Sequence, residues 1–327
     1  MKYGFIVLLL ALLLPLELSA SCGSATCPLN SFERNKVGQL AFGLAYEYID
    51  QDRAFVGTSV SYVGAIRGHH DEVRTLNQRW IIRSGYAFSP EWQVRAELPF
   101  IQREHTHIHH HHGQDLTESW NFSGVGDAGI FLDYTLPSPH TSWEDAGYMS
   151  VLSFTAGLTL PTGVTTMTNS DGDEAEASIQ PGSGGYSGSI GVYYRQPVFP
   201  MPTLTGKTAL LALIGSMTFT TYGAGTNGWK FGDSFVASVG ADYTLWDRST
   251  AFLQLDSKFQ RAAEPGTTRE PISNTGGYWL YLSPGLKIAL TETLSFNGIV
   301  QFPIYQRVNG IQLVSACNLQ VGVTGSF

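Results

Sequence analysis

The nine residues Leu319-Gln320-Val321-Gly322-Val323-Thr324-Gly325-Ser326-Phe327 place apolar or small side chains at odd positions and polar or small ones at even positions. A period of two puts the two sets on opposite faces of an extended strand, and the faces meet different surroundings. A strand at this place in the chain leaves a row of unpaired backbone groups unless something covers it. A sheet closed into a barrel covers it by pairing it with the first strand. The expectation is a sheet that this strand closes.

The same alternation recurs along the chain in twelve segments: Val37–Ile49, Thr75–Phe88, Trp92–Arg103, Gly124–Leu136, Tyr148–Leu160, Gly185–Arg195, Lys207–Tyr222, Phe231–Trp246, Thr250–Gln260, Gly277–Leu290, Leu294–Gln306 and Gln312–Phe327. A tilted strand needs about 9–11 residues to cross a hydrocarbon layer, so each segment is long enough to cross. The chain is 43% hydrophobic and only 14% charged, against about 25% charged in soluble domains. After residue 20 no apolar run is long enough for a membrane helix. Low charge without a spanning helix fits an apolar surface spread over alternate residues, as in an all-β, transmembrane antiparallel up-and-down β-barrel of about twelve strands. A soluble sandwich would not keep polar residues on one face of every strand. The net charge of −8 and the lack of a basic cluster exclude a nucleic-acid partner.

Lys2, the apolar stretch Phe5 to Leu14 and Leu18-Ser19-Ala20 have the three parts of a cleaved signal peptide over 1–20. Ser21 stands between the Leu-Ser-Ala triplet and Cys22, which disfavours a lipid anchor. Residues 21–36 form an N-terminal segment with Cys22 and Cys27, and residues 37–327 the barrel. In an oxidising compartment the two cysteines fit a small disulfide loop; a soft-metal or redox site is the other reading. Cys317 reads as a small apolar residue on a strand.

Connections alternate in length. Ser89–Glu91, Asp247–Ser249 and Thr291–Thr293 are tight, and Pro137–Gly147 and Gln196–Gly206 are moderate. Asp50–Arg74, Glu104–Ser123, Pro161–Gly184 and Arg261–Gly276 are long. Outer-membrane barrels have short periplasmic turns and long external loops, so both termini are expected in the periplasm of a Gram-negative-type cell, with membrane lipid and lipopolysaccharide around the wall.

The polar faces carry Arg79, Arg83, Arg95, Glu97, Arg103, Asp127, Asp133, Arg195, Asp242, Asp256, Lys258 and Lys287. These line the interior, either as a charge network that fills it or as the wall of a narrow path. Twelve strands fall between a barrel just filled by side chains and an open channel. Histidines concentrate in two of the long connections: His69 and His70 in one, and His105, His107, His109, His110, His111 and His112 in the other. Imidazoles at such spacing can ligate Zn²⁺, Cu²⁺ or Ni²⁺, or bind them only adventitiously. The run Asn169–Glu176 is acidic without the spacing of a complete Ca²⁺ loop.

Four phrases resemble the MetA-pathway of phenol degradation family of transporter-like outer-membrane barrels. They are Gly126-Asp127-Ala128-Gly129, Gly157-Leu158-Thr159-Leu160-Pro161-Thr162-Gly163, Leu282-Ser283-Pro284-Gly285-Leu286 and Phe302-Pro303-Ile304-Tyr305-Gln306-Arg307-Val308-Asn309-Gly310. The resemblance implies an outer-membrane barrel that passes small, aromatic or hydrophobic molecules, with no catalytic residues; the histidine tract is outside its pattern. The first expectation is therefore a pore or transporter-like barrel for small solutes or metal ions, with no required cofactor. The alternative is a metal-binding or sensing barrel without a through-pore. An enzyme ranks third. A barrel hydrolase needs a nucleophile and base fixed on rigid strands, and none of the twelve segments contains histidine.

Overall fold

A computed structural model describes residues 35–65, 71–111, 114–137, 150–267 and 272–327. Sixteen strands follow in chain order: β1 Leu40–Val56, β2 Ser59–Val60, β3 Asp71–Ala87, β4 Trp92–His111, β5 Gln114–Val125, β6 Ala128–Thr135, β7 Val151–Leu160, β8 Ser187–Pro202, β9 Thr208–Tyr222, β10 Trp229–Lys230, β11 Ser234–Trp246, β12 Ser249–Gln260, β13 Glu264–Pro265, β14 Gly277–Ala289, β15 Leu294–Val308 and β16 Ile311–Ser326. Fourteen belong to one sheet in which neighbours in space are neighbours in sequence. With β2 and β5 off the ring, twelve antiparallel strands close into a barrel.

The closure is the pairing of β16 with β1, in the register Leu44↔Val323, Tyr46↔Val321 and Tyr48↔Leu319. Backbone bonds between Leu40 and Phe327 finish it: Leu40 N donates to Phe327 O at 3.0 Å and Phe327 N to Leu40 O at 2.8 Å. The rim that holds this pair is called the terminal rim below, and the opposite one the far rim. On the outer face, Val323, Leu44, Ile82 and Leu98 lie in register and are all exposed. Tyr46 stacks on Trp80 at 4.6 Å, and Trp92 on Tyr134 at 4.7 Å. An apolar band flanked by aromatic side chains suits a lipid surround. The alternate residues Ala45, Glu47, Ile81 and Asp133 are buried inside.

Several boundaries differ from the sequence expectation, mostly because strands outrun the apolar band. β1 continues to Val56, and β8 continues through Pro202, which shortens the next turn to residues 203–207. β8 passes Pro197 at a register shift between Pro197 and Phe199, and its other prolines pair beyond it, Pro200 with Leu210 and Pro202 with Thr208. The segment Gly124–Leu136 breaks at Gly126-Asp127. β6 pairs with the lower part of β4, Trp92↔Tyr134, while β5 pairs with its upper part, His107↔Glu118. What reads in sequence as a long connection over Glu104–Ser123 is thus a hairpin standing on the far rim.

The wall also has an irregular side. The β1–β3 ladder ends at Gln51↔Thr75, and the β15–β16 ladder at Gln301↔Asn318. Beyond these points β16 stays on β1, and Ile311 to Ser315 are buried on both faces. Val314 packs with Trp279, Tyr281 and Val308.

A charge at the middle of the apolar band and one at its edge should differ in cost. Val323→Arg is expected to destabilise the bilayer-folded barrel by about 2–4 kcal/mol and Phe327→Arg by about 0–1 kcal/mol, measured by urea unfolding in lipid vesicles.

Candidate functional site

The interior has a filled side and an open side. On the filled side polar groups on β12, β14, β15, β16 and β1 bond to one another. Ser283 Oγ donates to Asp256 Oδ2 at 2.5 Å and Gln301 Nε2 to the same oxygen at 3.1 Å. Asn318 Nδ2 donates to Gln301 Oε1 at 3.4 Å, and Ser315 Oγ to Asn318 Oδ1 at 2.7 Å. Gln320 Nε2 donates to Glu47 Oε1 at 3.0 Å, and Arg79 Nε lies 3.2 Å from Glu47 Oε2.

On the open side is a cavity of about 460 Å³. Arg79, Arg83, Arg95, Arg103 and Lys258 line it, against two carboxylates, Glu97 and Asp127, and the aromatic rings of Phe131 and Tyr193. Strand pairing explains the cluster, because alternate residues of β3 and β4 point inward at adjacent levels: Arg79, Arg83, Arg95, Glu97 and Arg103. The carboxylates hold the guanidinium groups in place. Arg95 grips Asp133 through Nε at 2.5 Å and Nη2 at 2.9 Å, with Phe131 5.1 Å beneath the guanidinium. Arg83 lies 3.2 Å from Glu97. Asp133 is 1% exposed and sits behind its arginine. The surface that faces the cavity is therefore cationic. Arg195 and Asp242 form a second two-bond pair at 2.8 and 2.9 Å. Lys258 lies over Trp279 at 5.6 Å, and Lys287 is level with Thr250 and Asn297.

Residues 161–186, between β7 and β8, fold into the mouth of this cavity. Asp127, at the break between β5 and β6, holds both ends of the segment. Its Oδ1 accepts from Gly163 N at 2.9 Å, and its Oδ2 from Ser183 N at 2.8 Å and Ser183 Oγ at 2.6 Å. Gly163 and Gly182 cross so closely that a Cβ on either would come within 2.5 Å of the other's backbone. Arg103 donates to Ile179 O. Ala175 and Ile179 pack on Trp120 and Phe122 of β5, and Trp120 Nε1 donates to Asp173 O at 3.1 Å. Gln180, Pro181 and Ser183 thereby line the cavity. The acidic run at the tip is a turn in which Asn169 Oδ1 accepts from Asp171 N and Asp173 N at 3.0 and 2.8 Å. None of these lining roles shows in the alternation. The only local signs are the glycines and Pro181.

His105, His107, His109, His110 and His111 lie in β4, a correction to their expected place in a long connection. The cause is the β5 partner strand, which gives this stretch a ladder. His105 and His107 are buried on its inner face. His105 Nδ1 is 2.8 Å from Thr75 Oγ1, and His107 Nε2 is 3.1 Å from Glu118 Oε2. Both rings lie against Trp120, at 5.9 and 4.8 Å. Histidine is thus present on a strand, contrary to the expectation used to rank enzymes third; His105 is paired with a buried threonine. Among the described residues no three His, Cys, Asp or Glu side chains come together as a metal site. His69, His70, His112, Cys22 and Cys27 fall outside the described residues. Cys317 is exposed on β16. At the far rim, Lys230 Nζ is 2.6 Å from Glu264 Oε1, and that bond holds the ammonium above its ordinary pKa.

No family model and no curated protein matches the chain. Among solved structures, an outer membrane channel from Pseudomonas putida F1 superposes with a TM-score of 0.63 at 12% identity, over 94% of this chain and 100% of that one. The transport unit of the autotransporter AIDA-I from Escherichia coli gives 0.48 at 11% identity, over 90% of this chain and 92% of that one. At 12% identity the likeness to the channel is one of fold.

Hydrogen bonds to a charged group contribute about 1.5–3 kcal/mol each, so Asp127→Ala should release the neck of the 161–186 segment. The expected result is faster proteolytic cleavage within 161–186 in the folded barrel, with the barrel itself intact on gels.

Proposed function

We propose that the protein is an outer-membrane channel that passes small solutes, with a preference for anions. One observation carries this reading: a closed barrel with a lipid-type exterior encloses a cavity whose facing charges are five cationic groups against two carboxylates. Rings of Arg and Lys select anions in narrow pores because a fixed positive potential replaces part of the ion's hydration. Here the guanidinium groups need no rearrangement to do so, since Asp133 and Glu97 already hold Arg95 and Arg83.

The size limit is set by the 161–186 segment and by the polar packing on the filled side. Phe131 and Tyr193 add flat apolar surface beside the charges. That combination accommodates a small aromatic acid, in keeping with the family resemblance of the four sequence phrases. The cationic wall opposes free metal cations as cargo. In this reading the terminal rim faces the periplasm and the hairpin of β4 and β5 faces outward, toward lipopolysaccharide. The role is conduction, not catalysis.

In planar bilayers under a KCl gradient, small conductance steps and a reversal potential of the chloride sign are expected. Replacing Arg83 and Arg103 together by Gln should lower the chloride-to-potassium permeability ratio toward one. A wild-type barrel that prefers potassium would sink the proposal.

A further inference from the structure

On the outer face, near the far rim, a row of rings crosses four neighbouring strands. Phe219 of β9 pairs with Phe235 of β11, Phe235 with Phe259 of β12, and Phe259 with Tyr278 of β14. The next residue in the row is Arg307 of β15, paired with Tyr278. Tyr305, two positions before it on the same face, lies against Tyr278 at 5.8 Å. Arg307 is exposed, while its neighbours Gln306 and Val308 are buried inside. β12 repeats the order. Its ring, Phe259, is followed two positions nearer the far rim by Arg261, whose side chain is 57% exposed.

Aromatic rings gather at the headgroup level of a membrane, and an arginine just beyond them reaches the headgroup phosphates. The guanidinium fork matches a phosphate with two parallel bonds. Among the described residues the Arg307 side chain has no hydrogen bond or ion pair. The carboxylates nearby are engaged. Asp233 accepts from Thr221 at 2.8 Å and lies 3.6 Å from Arg261, and Glu264 is held by Lys230. Ser257 Oγ donates to Tyr278 Oη at 3.2 Å, which leaves the phenol's own O–H to donate outward. Two strand spacings and two residues separate Arg261 from Arg307, roughly 12 Å along the wall, a span that a disaccharide covers. We propose that Arg261, Arg307 and Tyr278 hold the diphosphorylated glucosamine disaccharide of lipid A, one phosphate at each arginine, with its acyl chains along the row of rings. This site rests on the reading that the far rim faces outward, since that lipid fills the outer leaflet.

A ligand bound only by the folded state raises the unfolding midpoint as its concentration rises. The detergent-folded barrel is melted with lipid A, with the same lipid stripped of its phosphates, and with inorganic phosphate. Lipid A should raise the midpoint by a few degrees over both others. The rise should vanish when Arg261 and Arg307 are both replaced by Gln, shrink in Arg307→Gln alone, and persist in Arg248→Gln at the terminal rim. Equal midpoints with and without the lipid's phosphates, or a rise unchanged in the double variant, would overturn the proposal. Orientation is read separately, by treating whole cells that carry Thr117→Cys, in a chain whose three cysteines are replaced by Ser, with a membrane-impermeant thiol reagent. Labelling without a phosphate effect overturns the lipid site alone; no labelling overturns the outward reading and the site with it.

Discussion

Backbone amides and carbonyls in a lipid environment find no water, so each must pair within the wall. That requirement is what the β1–β16 ladder satisfies. Once Leu40 and Phe327 exchange backbone bonds, the first and last strands are paired at the terminal rim, and along the regular part of the ladder the face of a residue follows from its parity. Val323, Leu44 and Ile82 then share one outward row, while Glu47 and Arg79 meet inside. Both the lipid surface and the charged interior are consequences of a single register.

A twelve-stranded ring could enclose a wide pore, and here it does not. Two devices fill it. The upper part of β16 turns in against Trp279 and Tyr281, supported by a network of Gln, Asn and Ser around Asp256. Opposite, the 161–186 segment rests on Trp120 and Phe122 and is clamped by Asp127. What remains between them is the cavity walled by Arg79, Arg83, Arg95 and Arg103. The selectivity proposed for the protein rests on that remainder, not on the ring size.

The ring was legible in the sequence because alternation is a local property. The segments that begin at Trp92, Leu294 and Gly277 start at those residues in the structure. The features that shape the lumen were not legible, because they arise from contacts between distant segments. The histidine tract reads as loop from its composition, yet β5 turns it into strand by pairing His105 with Trp120 and His107 with Glu118. The Asp127 clamp joins residues 36 and 56 positions away. Gly126-Asp127 in one phrase and Gly163 in another give no hint that they meet. The resemblance to a transporter-like family agreed with the barrel and said nothing of the clamp.

The alternation around a water-accessible lumen is the claim on which all else stands, and adjacent residues test it most directly. In a chain whose three cysteines are replaced by Ser, Arg83→Cys and Ile82→Cys are compared in lipid vesicles. The account predicts that the thiol at 83 reacts with a small water-soluble reagent, while a fluorophore at 82 is quenched by brominated lipid. Lipid quenching at 83 with aqueous reactivity at 82 would contradict it.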